Sequence, residues 1–414
     1  MRSRFNPTGP TLPQNLAALS PAVALFAVSA LTSVILGGCS ENNEGNVRVA
    51  PPLASISISA GGSTVIPSGG SSSMGGSTST GGGSATDVDK PWPSTGCGKD
   101  PPAEQVATVP GSRTGYTEYF VKETGATLGA DQPTKAGDRQ YFVRIPADYD
   151  KSRPYRIVYI GQGCGARRAG KTATYPLFDE KQGGTEQAIY VGVSVPDDGS
   201  NPGCFDNNSG PESQEWEAFD LMHTAIEGAF CVDNNRIYVA GYSTGGWLSN
   251  MWGCYFGGTP ATPLDKTPVD IAQAAAGKPR KFSPKWAMRG HVGVTGSLPP
   301  NQPQPCNGPS AGLWIHDAAD PSNLIATNIK SLELSLATNG CTGSYMEGPK
   351  EPWQPAEMIP GLAGGICQEY TGCDAETRRK YPLVFCTTSG RGHADQSTSA
   401  IPAFTKFFDQ LDPK

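Results

Sequence analysis

Short apolar runs alternate with amphipathic stretches from about residue 91 onward. Six runs rich in β-branched and aromatic residues predict strands, at residues 140–145, 155–160, 188–195, 236–241, 312–316 and 382–387. Several are apolar at successive positions, which is typical of strands buried on both faces between layers of helices. The pattern predicts an α/β fold with a mostly parallel central sheet.

Three segments between or after these strands have helical spacing. Residues 214–230 place aromatic and aliphatic side chains on one stripe, and residues 322–338 and 400–411 also predict helices. No internal repeat is present. Residues 91–414 are therefore predicted to form one domain, which is large enough for a substantial core.

The segment before this domain has a different amino-acid composition. Residues 39–90 contain the run "GGSTVIPSGGSSSMGGSTSTGGGSAT", which is dominated by Gly, Ser and Thr. Such a composition cannot bury enough apolar surface to offset the entropy of ordering the chain. Residues 39–90 are predicted to be a flexible linker.

The first forty residues have the composition of a targeting signal. Arg2 and Arg4 precede an apolar segment, residues 22–36, that is too short for a comfortable transmembrane span. The segment ends in "LGGCS", which resembles the lipobox of bacterial lipoproteins. That resemblance implies a signal peptide at residues 1–38 and a lipidated Cys39, with an ordinary signal peptide or an uncleaved anchor as alternatives. The protein is expected outside the cytoplasm, as an outer-membrane or cell-surface lipoprotein or as a secreted protein.

The eleven cysteines agree with export. Ten remain when Cys39 is set aside, and an even set in an exported chain predicts up to five disulfides whose pairing spacing alone does not determine. No pair has C-x-x-C spacing and the four histidines are scattered, so neither a metal nor another cofactor is expected. The net charge of −6, without a basic run beside aromatic residues, argues against a nucleic-acid partner.

One serine stands where a strand should give way to a helix. In "RIYVAGYSTGGWLSNMWGC", the strand-like start leads into Gly241, Ser243 and Gly245 and then into a helical stretch. G-x-S-x-G in this position is typical of a nucleophile elbow, in which a strained turn exposes the serine hydroxyl. The alternative is an ordinary turn that happens to carry a hydroxyl. We interpret Ser243 as a nucleophile.

A serine nucleophile needs a base, and only four histidines are available. His223 lies on the apolar stripe of a predicted helix, and His291 lies in a run that could be a further strand. His316 ends a predicted strand and is expected to shape the following turn. His393 follows the last predicted strand in the Gly-containing loop "CTTSGRGHADQ". We therefore predict His393 as the general base.

An acidic residue must orient the imidazole, and "IHDAADPSN" offers two. Asp320 precedes Pro321 and a predicted helix, so it should lie on the connecting loop. Asp317 is the alternative and could instead cap the turn. With Asp320, the chain order Ser243, Asp320, His393 is that of the α/β-hydrolases.

A tetrahedral intermediate needs backbone N–H donors. Thr244, directly after the nucleophile, should supply one, and either Gly163 or Cys164 in "YIGQGCGA" the other. The same turn loosely matches a dinucleotide-binding fingerprint. No acidic residue ends the next strand at the spacing that this fingerprint requires, which disfavours that reading.

Several spaced segments together resemble one known family. They are "GCGK" at residues 96–99, "RQYFVRIPADYDKSRPYRIVYIGQGCG", the elbow segment above, "IHDAADPSN", "CQEYTGC" and "PLVFCTTSGRGH". They resemble the secreted polyhydroxybutyrate depolymerase/feruloyl esterase family, from about residue 96 to the C-terminus. The resemblance implies an α/β-hydrolase serine esterase with Ser243, Asp320 and His393 as its triad. It also implies a disulfide that braces the elbow, Cys231–Cys254.

Two positions depart from the family pattern. Gln162 stands where a histidine is common at the oxyanion turn, and Asp317 replaces a glycine that commonly follows the strand-end histidine. Trp247 and Trp252 near the elbow could line an aromatic pocket, although packing in the core is favoured.

The expected function is hydrolysis of esters by a monomer. The resemblance points to feruloyl groups on plant cell-wall xylan, with poly(3-hydroxybutyrate) depolymerase or acetyl xylan esterase activity as alternatives. A non-enzymatic alternative is a surface-binding lipoprotein that has kept the fold and lost the chemistry.

The lipobox reading makes a direct prediction about Cys39. Cells that express the protein should incorporate radioactive palmitate into it, because the Cys39 thiol is the point of attachment of the fatty-acid-bearing lipid, and Cys39→Ala should abolish the labelling. Unmodified wild-type protein in the culture medium would contradict the anchor.

Overall fold

The computed structural model divides the chain into two units, Met1–Gly69 and Gly70–Lys414. All residues described below lie in the second unit; they are 87–102, 117–122, 127–128, 132–133, 138–146, 148–164, 188–194, 204–205, 215–258, 286–298, 306–359, 362–393 and 397–412. The signal peptide, Cys39 and nearly all of the linker lie outside them, so the proposed domain boundaries stay predictions.

Within the described residues, the main sheet has ten strands in the order β1-β4-β6-β5-β7-β8-β9-β12-β11-β10. They are β1 (Thr117–Lys122), β4 (Asp138–Arg144), β5 (Tyr155–Gly161), β6 (Ala188–Val193), β7 (Val232–Tyr242), β8 (Gly290–Val294), β9 (Ala311–Asp317), β10 (Lys350–Pro352), β11 (Leu362–Tyr370) and β12 (Leu383–Thr388). A separate two-stranded sheet pairs β2 (Thr127–Leu128) with β3 (Gln132–Pro133).

The centre of the sheet is parallel and its two margins are antiparallel. Strands β6, β5, β7, β8, β9 and β12 pair in parallel. On one margin β4 and β1 are antiparallel, and on the other β11 and β10 are antiparallel. This order is that of the α/β-hydrolase fold, so the predicted fold class is confirmed.

Helices cover both faces of the sheet. They are α1 (Glu215–Ala229), α2 (Thr244–Tyr255), α3 (Ile325–Thr338), α4 (Ala375–Lys380) and α5 (Ser397–Leu411), and residues Gln354–Met358 form a short 3₁₀ helix. Alternate residues of one strand point to opposite faces. Accordingly Ile157 belongs to the core layer shared with α1 and α2, whereas its neighbour Val158 belongs to the layer shared with α5. Among the described residues, no helix has the length and hydropathy to cross a membrane.

The predicted elements correspond closely to the structure in the buried parts. Every predicted strand and helix is present, because continuous apolar runs and helical stripes mark elements that pack against the core. The helix predicted from residue 322 begins at Ile325. The carboxylate of Asp320 accepts hydrogen bonds from the N–H groups of Ser322 and Asn323, which holds these residues in a turn before the helix.

The antiparallel margin formed by β10 and β11 is absent from the predictions. Strand β11 has the sequence "LAGGICQEY", in which Gly, Gln and Glu break any apolar run. Strand β10 has only three residues and includes a proline. Marginal strands carry weak local signals because only part of their surface is buried.

Five disulfides join all ten cysteines after Cys39, as their even number predicts. They are Cys97–Cys231, Cys164–Cys204, Cys254–Cys306, Cys341–Cys373 and Cys367–Cys386. The expected Cys231–Cys254 bond is therefore wrong. Cys231 lies just before the start of β7, and Cys254 lies near the end of α2, which runs back alongside that strand. The helix is shorter than the strand, so Cys254 does not reach the level of Cys231. The 11-residue strand spans roughly 35 Å, but the 12-residue α2 spans only about 18 Å.

This connectivity predicts the products of digestion under non-reducing conditions. Mass spectrometry should find peptides that link Cys97 to Cys231 and Cys254 to Cys306, and reduction should separate each pair. Removing both cysteines of the Cys97–Cys231 pair should lower the free energy of unfolding by about 2–5 kcal/mol, since this bond closes a long loop. A peptide that joins Cys231 to Cys254 would contradict the structure.

Candidate active site

Ser243 occupies a sharp turn between β7 and α2. Its backbone dihedrals are φ 55° and ψ −121°, a conformation that L-residues adopt rarely and at a cost of about 1–3 kcal/mol. Neighbouring hydrogen bonds hold it there: Ser243 N–H donates to the Val294 carbonyl at 3.0 Å, and Trp247 N–H donates to the Ser243 carbonyl at 3.0 Å. The turn places the serine side chain beyond the end of the strand.

The two glycines of the pentapeptide are required by close backbone contacts. A Cβ atom at Gly241 would lie 2.0 Å from the Gly245 carbonyl oxygen. A Cβ atom at Gly245 would lie 2.1 Å from the Gly161 carbonyl oxygen at the end of β5. Any larger residue would therefore push the start of α2 away from the sheet. This steric constraint explains why glycine stands at the first and last positions of the G-x-S-x-G pattern.

The structure brings the three predicted triad residues into one hydrogen-bonded chain. His393 Nε2 lies 2.9 Å from Ser243 Oγ, and His393 Nδ1 lies 2.8 Å from Asp320 Oδ2. The carboxylate accepts the Nδ1–H proton, which leaves Nε2 free to accept a proton from the serine. The side chain of Asp320 is fully buried, whereas that of His393 is 23% exposed. The arrangement buries the carboxylate and leaves the imidazole partly exposed, while Ser243 is 9% exposed.

The two aspartates of "IHDAAD" have different partners. One oxygen of Asp320 accepts from the N–H groups of Ser322 and Asn323, and the other faces His393. Asp317 does not contact the imidazole. Its carboxylate accepts from Ala319 N–H within the turn and from Arg391 N–H in the loop before His393.

The other three histidines are buried. His223 is bonded by Tyr159 and Asn234, and burial lowers its pKa to about 4. Burial lowers the pKa of His291 to about 3. His316 donates from Nε2 to the Asn323 carbonyl, and burial lowers its pKa as well. The expectation that His316 shapes the turn after β9 agrees with this bond.

The turn after β5 packs against the serine turn. A Cβ atom at Gly163 would lie 3.3 Å from Ser243 Cβ. The Thr244 hydroxyl is 3.5 Å from the Gln162 carbonyl oxygen and 3.7 Å from Cys164 Sγ. Thr244 opens α2, where backbone N–H groups have no partner within the helix. Both candidate donors, Gly163 and Cys164, thus lie beside the nucleophile and the start of the helix.

Some residues at the site were not predicted. The Tyr242 hydroxyl donates to the His393 carbonyl at 2.5 Å, across 151 positions of sequence. Asn328 donates to His316 Nδ1 and accepts from Asn250, which links α3 to α2 behind the acid. No local signal marks such contacts, because each partner comes from a different element.

The two tryptophans near the elbow differ in their surroundings. Trp252 is fully buried and packs against Tyr159 and Phe219, as the core interpretation predicts. Trp247 lies in the first turn of α2 and is only partly buried; its indole N–H is buried and has no hydrogen-bond partner in the part of the chain that the structure describes. Within the described ranges, no cluster of three or more His, Cys, Asp or Glu side chains could hold a metal ion.

The chain is a distant homologue of fungal feruloyl esterases. It is 27% identical over 175 residues to feruloyl esterase D of Neurospora crassa, a match that covers 39% of this chain and only 49% of that protein. It is 23% identical over 277 residues to feruloyl esterase C of Emericella nidulans, covering 66% of this chain and 81% of the relative. No protein-family model matches the chain.

Solved structures that align with this chain include two esterases. A ferulic acid esterase from Anaeromyces mucronatus aligns over 76% of this chain and 95% of its own, with 11% identity and a TM-score of 0.38. An acetyl xylan esterase from Aspergillus awamori aligns over 71% of this chain and 99% of its own, with 13% identity and a TM-score of 0.40.

The elbow geometry predicts opposite effects for two glycine substitutions. Gly245→Ala should lower the melting temperature by several degrees and displace Ser243, because its Cβ would meet backbone at 2.1 Å. The Cβ of Gly228→Ala, within α1, meets no atom of the described residues within 4 Å, and this variant should raise the free energy of unfolding by about 0.5–1 kcal/mol. Thermal and denaturant unfolding measure both. Equal stability of the two variants would contradict the close packing of the elbow.

Proposed function

We propose that this protein is a secreted serine esterase that hydrolyses carboxylic esters through an acyl-enzyme. The observation that carries the proposal is the hydrogen-bonded chain from Ser243 through His393 to Asp320 at a strained strand-to-helix turn. Nucleophile, base and orienting acid are each within hydrogen-bond reach of the next.

In the proposed reaction, His393 Nε2 accepts the proton of Ser243 as its oxygen attacks the ester carbonyl. Asp320 holds the imidazole and stabilises the cation that forms. The backbone N–H of Thr244 and that of Gly163 or Cys164 stabilise the negative oxygen of the tetrahedral intermediate. His393 then gives its proton to the leaving alcohol. Water repeats the sequence on the acyl-enzyme and releases the acid.

The proposed substrate class is feruloyl esters on plant cell-wall polysaccharide, such as xylan. The support is the distant homology to proteins named feruloyl esterases. Poly(3-hydroxybutyrate) and acetylated xylan are the alternatives. A panel of methyl ferulate, acetylated xylan and hydroxybutyrate oligomers separates the three, because each presents a different acyl group to the same serine.

We also propose where the enzyme works. Five disulfides favour an oxidising compartment outside the cytoplasm. A lipid at Cys39 would attach the chain to a membrane, and the linker of residues 39–90 would hold a monomeric esterase domain, residues 91–414, clear of that surface.

A surface-binding protein without activity is the alternative from another functional class. Such a protein would have no need for a strained serine or for a buried carboxylate aligned on an imidazole. The intact chain of hydrogen bonds therefore favours the enzyme.

Removal of the nucleophile tests the proposal. Ser243→Ala should lower kcat on p-nitrophenyl acetate by about 10⁴-fold or more, since the acyl-enzyme cannot form. Ser335→Ala is the matched control: among the described residues its hydroxyl bonds only the Ser331 carbonyl one turn back in α3, so the rate should not change. Equal turnover by wild type and Ser243→Ala would reject the esterase function.

A further inference from the structure

The loop that carries His393 closes around a second buried carboxylate, that of Asp317. We call residues 389–392 the base loop. Asp317 ends β9 and is 0% exposed. Its Oδ2 accepts from the Thr388 hydroxyl at 3.1 Å and from Arg391 N–H at 2.9 Å. Its Oδ1 accepts from Ala319 N–H at 3.0 Å.

Two glycines give the base loop this shape. Gly390 has φ +73° and Gly392 has φ +57°, so left-handed residues stand on both sides of Arg391. Successive N–H groups in such a segment point toward a common centre and form a concave site for an anion. Of these N–H groups, that of Arg391 donates to the Asp317 carboxylate. The "SGRGH" sequence is thus a backbone cradle, and Asp317 fills it.

The charge of Asp317 suits this cradle. Burial raises the pKa of the carboxyl, but hydrogen bonds from the Arg391 and Ala319 amides and from the Thr388 hydroxyl outweigh it. The pKa therefore lies below its ordinary value, and the group is a carboxylate at neutral pH. A neutral side chain of the same shape cannot accept from all these donors at once.

Asp317 contacts both the loop that precedes His393 and the turn that carries Asp320. Asp317 pairs with Thr388 in the parallel register of β9 and β12, directly before the base loop. Ala318 N–H donates to the Thr388 carbonyl at 3.0 Å, and Asp320 N–H donates to the Asp317 carbonyl at 3.2 Å. The turn that carries Asp320 and the loop that carries His393 therefore share one anchor.

Tyr242 holds His393 from the other side. Its hydroxyl bonds the His393 carbonyl, and its ring centroid lies 5.5 Å from the imidazole centroid. Because Tyr242 directly precedes Ser243, this bond ties the base to the turn of the nucleophile. His393 is thus held by Tyr242 on the nucleophile side and by Asp317 through the base loop.

We propose that Asp317 is a positioning residue for catalysis: it sets the place of His393 between Ser243 and Asp320 by anchoring the base loop. The proposal rests on the esterase function above. Asp317 touches neither the imidazole nor the serine and acts through the backbone of Arg391. A displacement of about 1 Å at reacting groups can lower a rate by about 10²-fold.

The test combines truncation of Asp317 with chemical rescue. Asp317→Ala removes a carboxylate of the size of a formate ion. The N–H groups of Arg391 and Ala319 then lose this acceptor. With p-nitrophenyl acetate, kcat should fall by about 10²-fold while KM stays within about twofold, because the truncation displaces the proposed base and removes no group that contacts Ser243. Added formate should restore kcat at least tenfold.

Asp374→Ala is the matched control. Asp374 also accepts from two backbone N–H groups, those of Glu376 and Thr377, but at the exposed start of α4. Its removal should lower the melting temperature slightly without changing kcat, and formate should have no effect. This control distinguishes a general loss of stability from a displacement of His393.

The outcomes distinguish this proposal from the esterase function. Wild type without Ser243-dependent turnover would reject the esterase function itself. An active wild type together with a folded Asp317→Ala that keeps its kcat, or loses it without rescue by formate, would overturn the role of Asp317. If Asp317→Ala does not fold, Asp317→Asn is the second variant. Its kcat should fall at unchanged KM, and wild-type kcat would overturn the proposal.

Discussion

The site depends on one constraint, the parallel pairing of five neighbouring strands. Because β5, β7, β8, β9 and β12 run in the same direction, the segments that follow them leave the sheet at one edge. Gly163 follows β5, Ser243 follows β7, Asp320 follows β9 and His393 follows β12. Residues up to 230 positions apart in sequence are therefore neighbours at this edge of the sheet. Loops at this edge of such a sheet are where α/β proteins generally place their chemistry.

Strain at this edge is shared between adjacent strand ends. Ser243 and Thr295 are the non-glycine residues with positive φ among the described part of the chain, and they follow the neighbouring strands β7 and β8. Ser243 N–H bonds the carbonyl of Val294, directly before Thr295, and Asn323 donates to the Thr295 carbonyl. The surrounding hydrogen bonds thus over-determine both strained residues, which is the condition for strain to persist in a folded protein.

Sequence alone predicts the features that local sterics and burial dictate. The elbow is visible because close backbone contacts exclude all residues but glycine at Gly241 and Gly245. His393 is conspicuous because it lies in a Gly-containing loop, whereas the other histidines lie within predicted helices or strands. Sequence alone does not predict the disulfide partners of Cys231 and Cys254, because they depend on the length of α2 relative to that of β7. The bond from Tyr242 to His393 is invisible for the same reason: it joins elements that meet only in the folded chain.

The two aspartates of "IHDAAD" show why residue type could not decide between them. Both are buried, Asp317 ends β9 and Asp320 lies three residues beyond it, and each accepts hydrogen bonds from backbone N–H groups. The strand register makes the choice. Asp317 lies opposite Thr388, directly before the base loop, so its carboxylate contacts the loop backbone at Arg391, before the chain reaches His393. Asp320 comes after a further turn, which carries its carboxylate to the imidazole. Three positions of sequence thus separate the group that orients the ring from the group that anchors its loop.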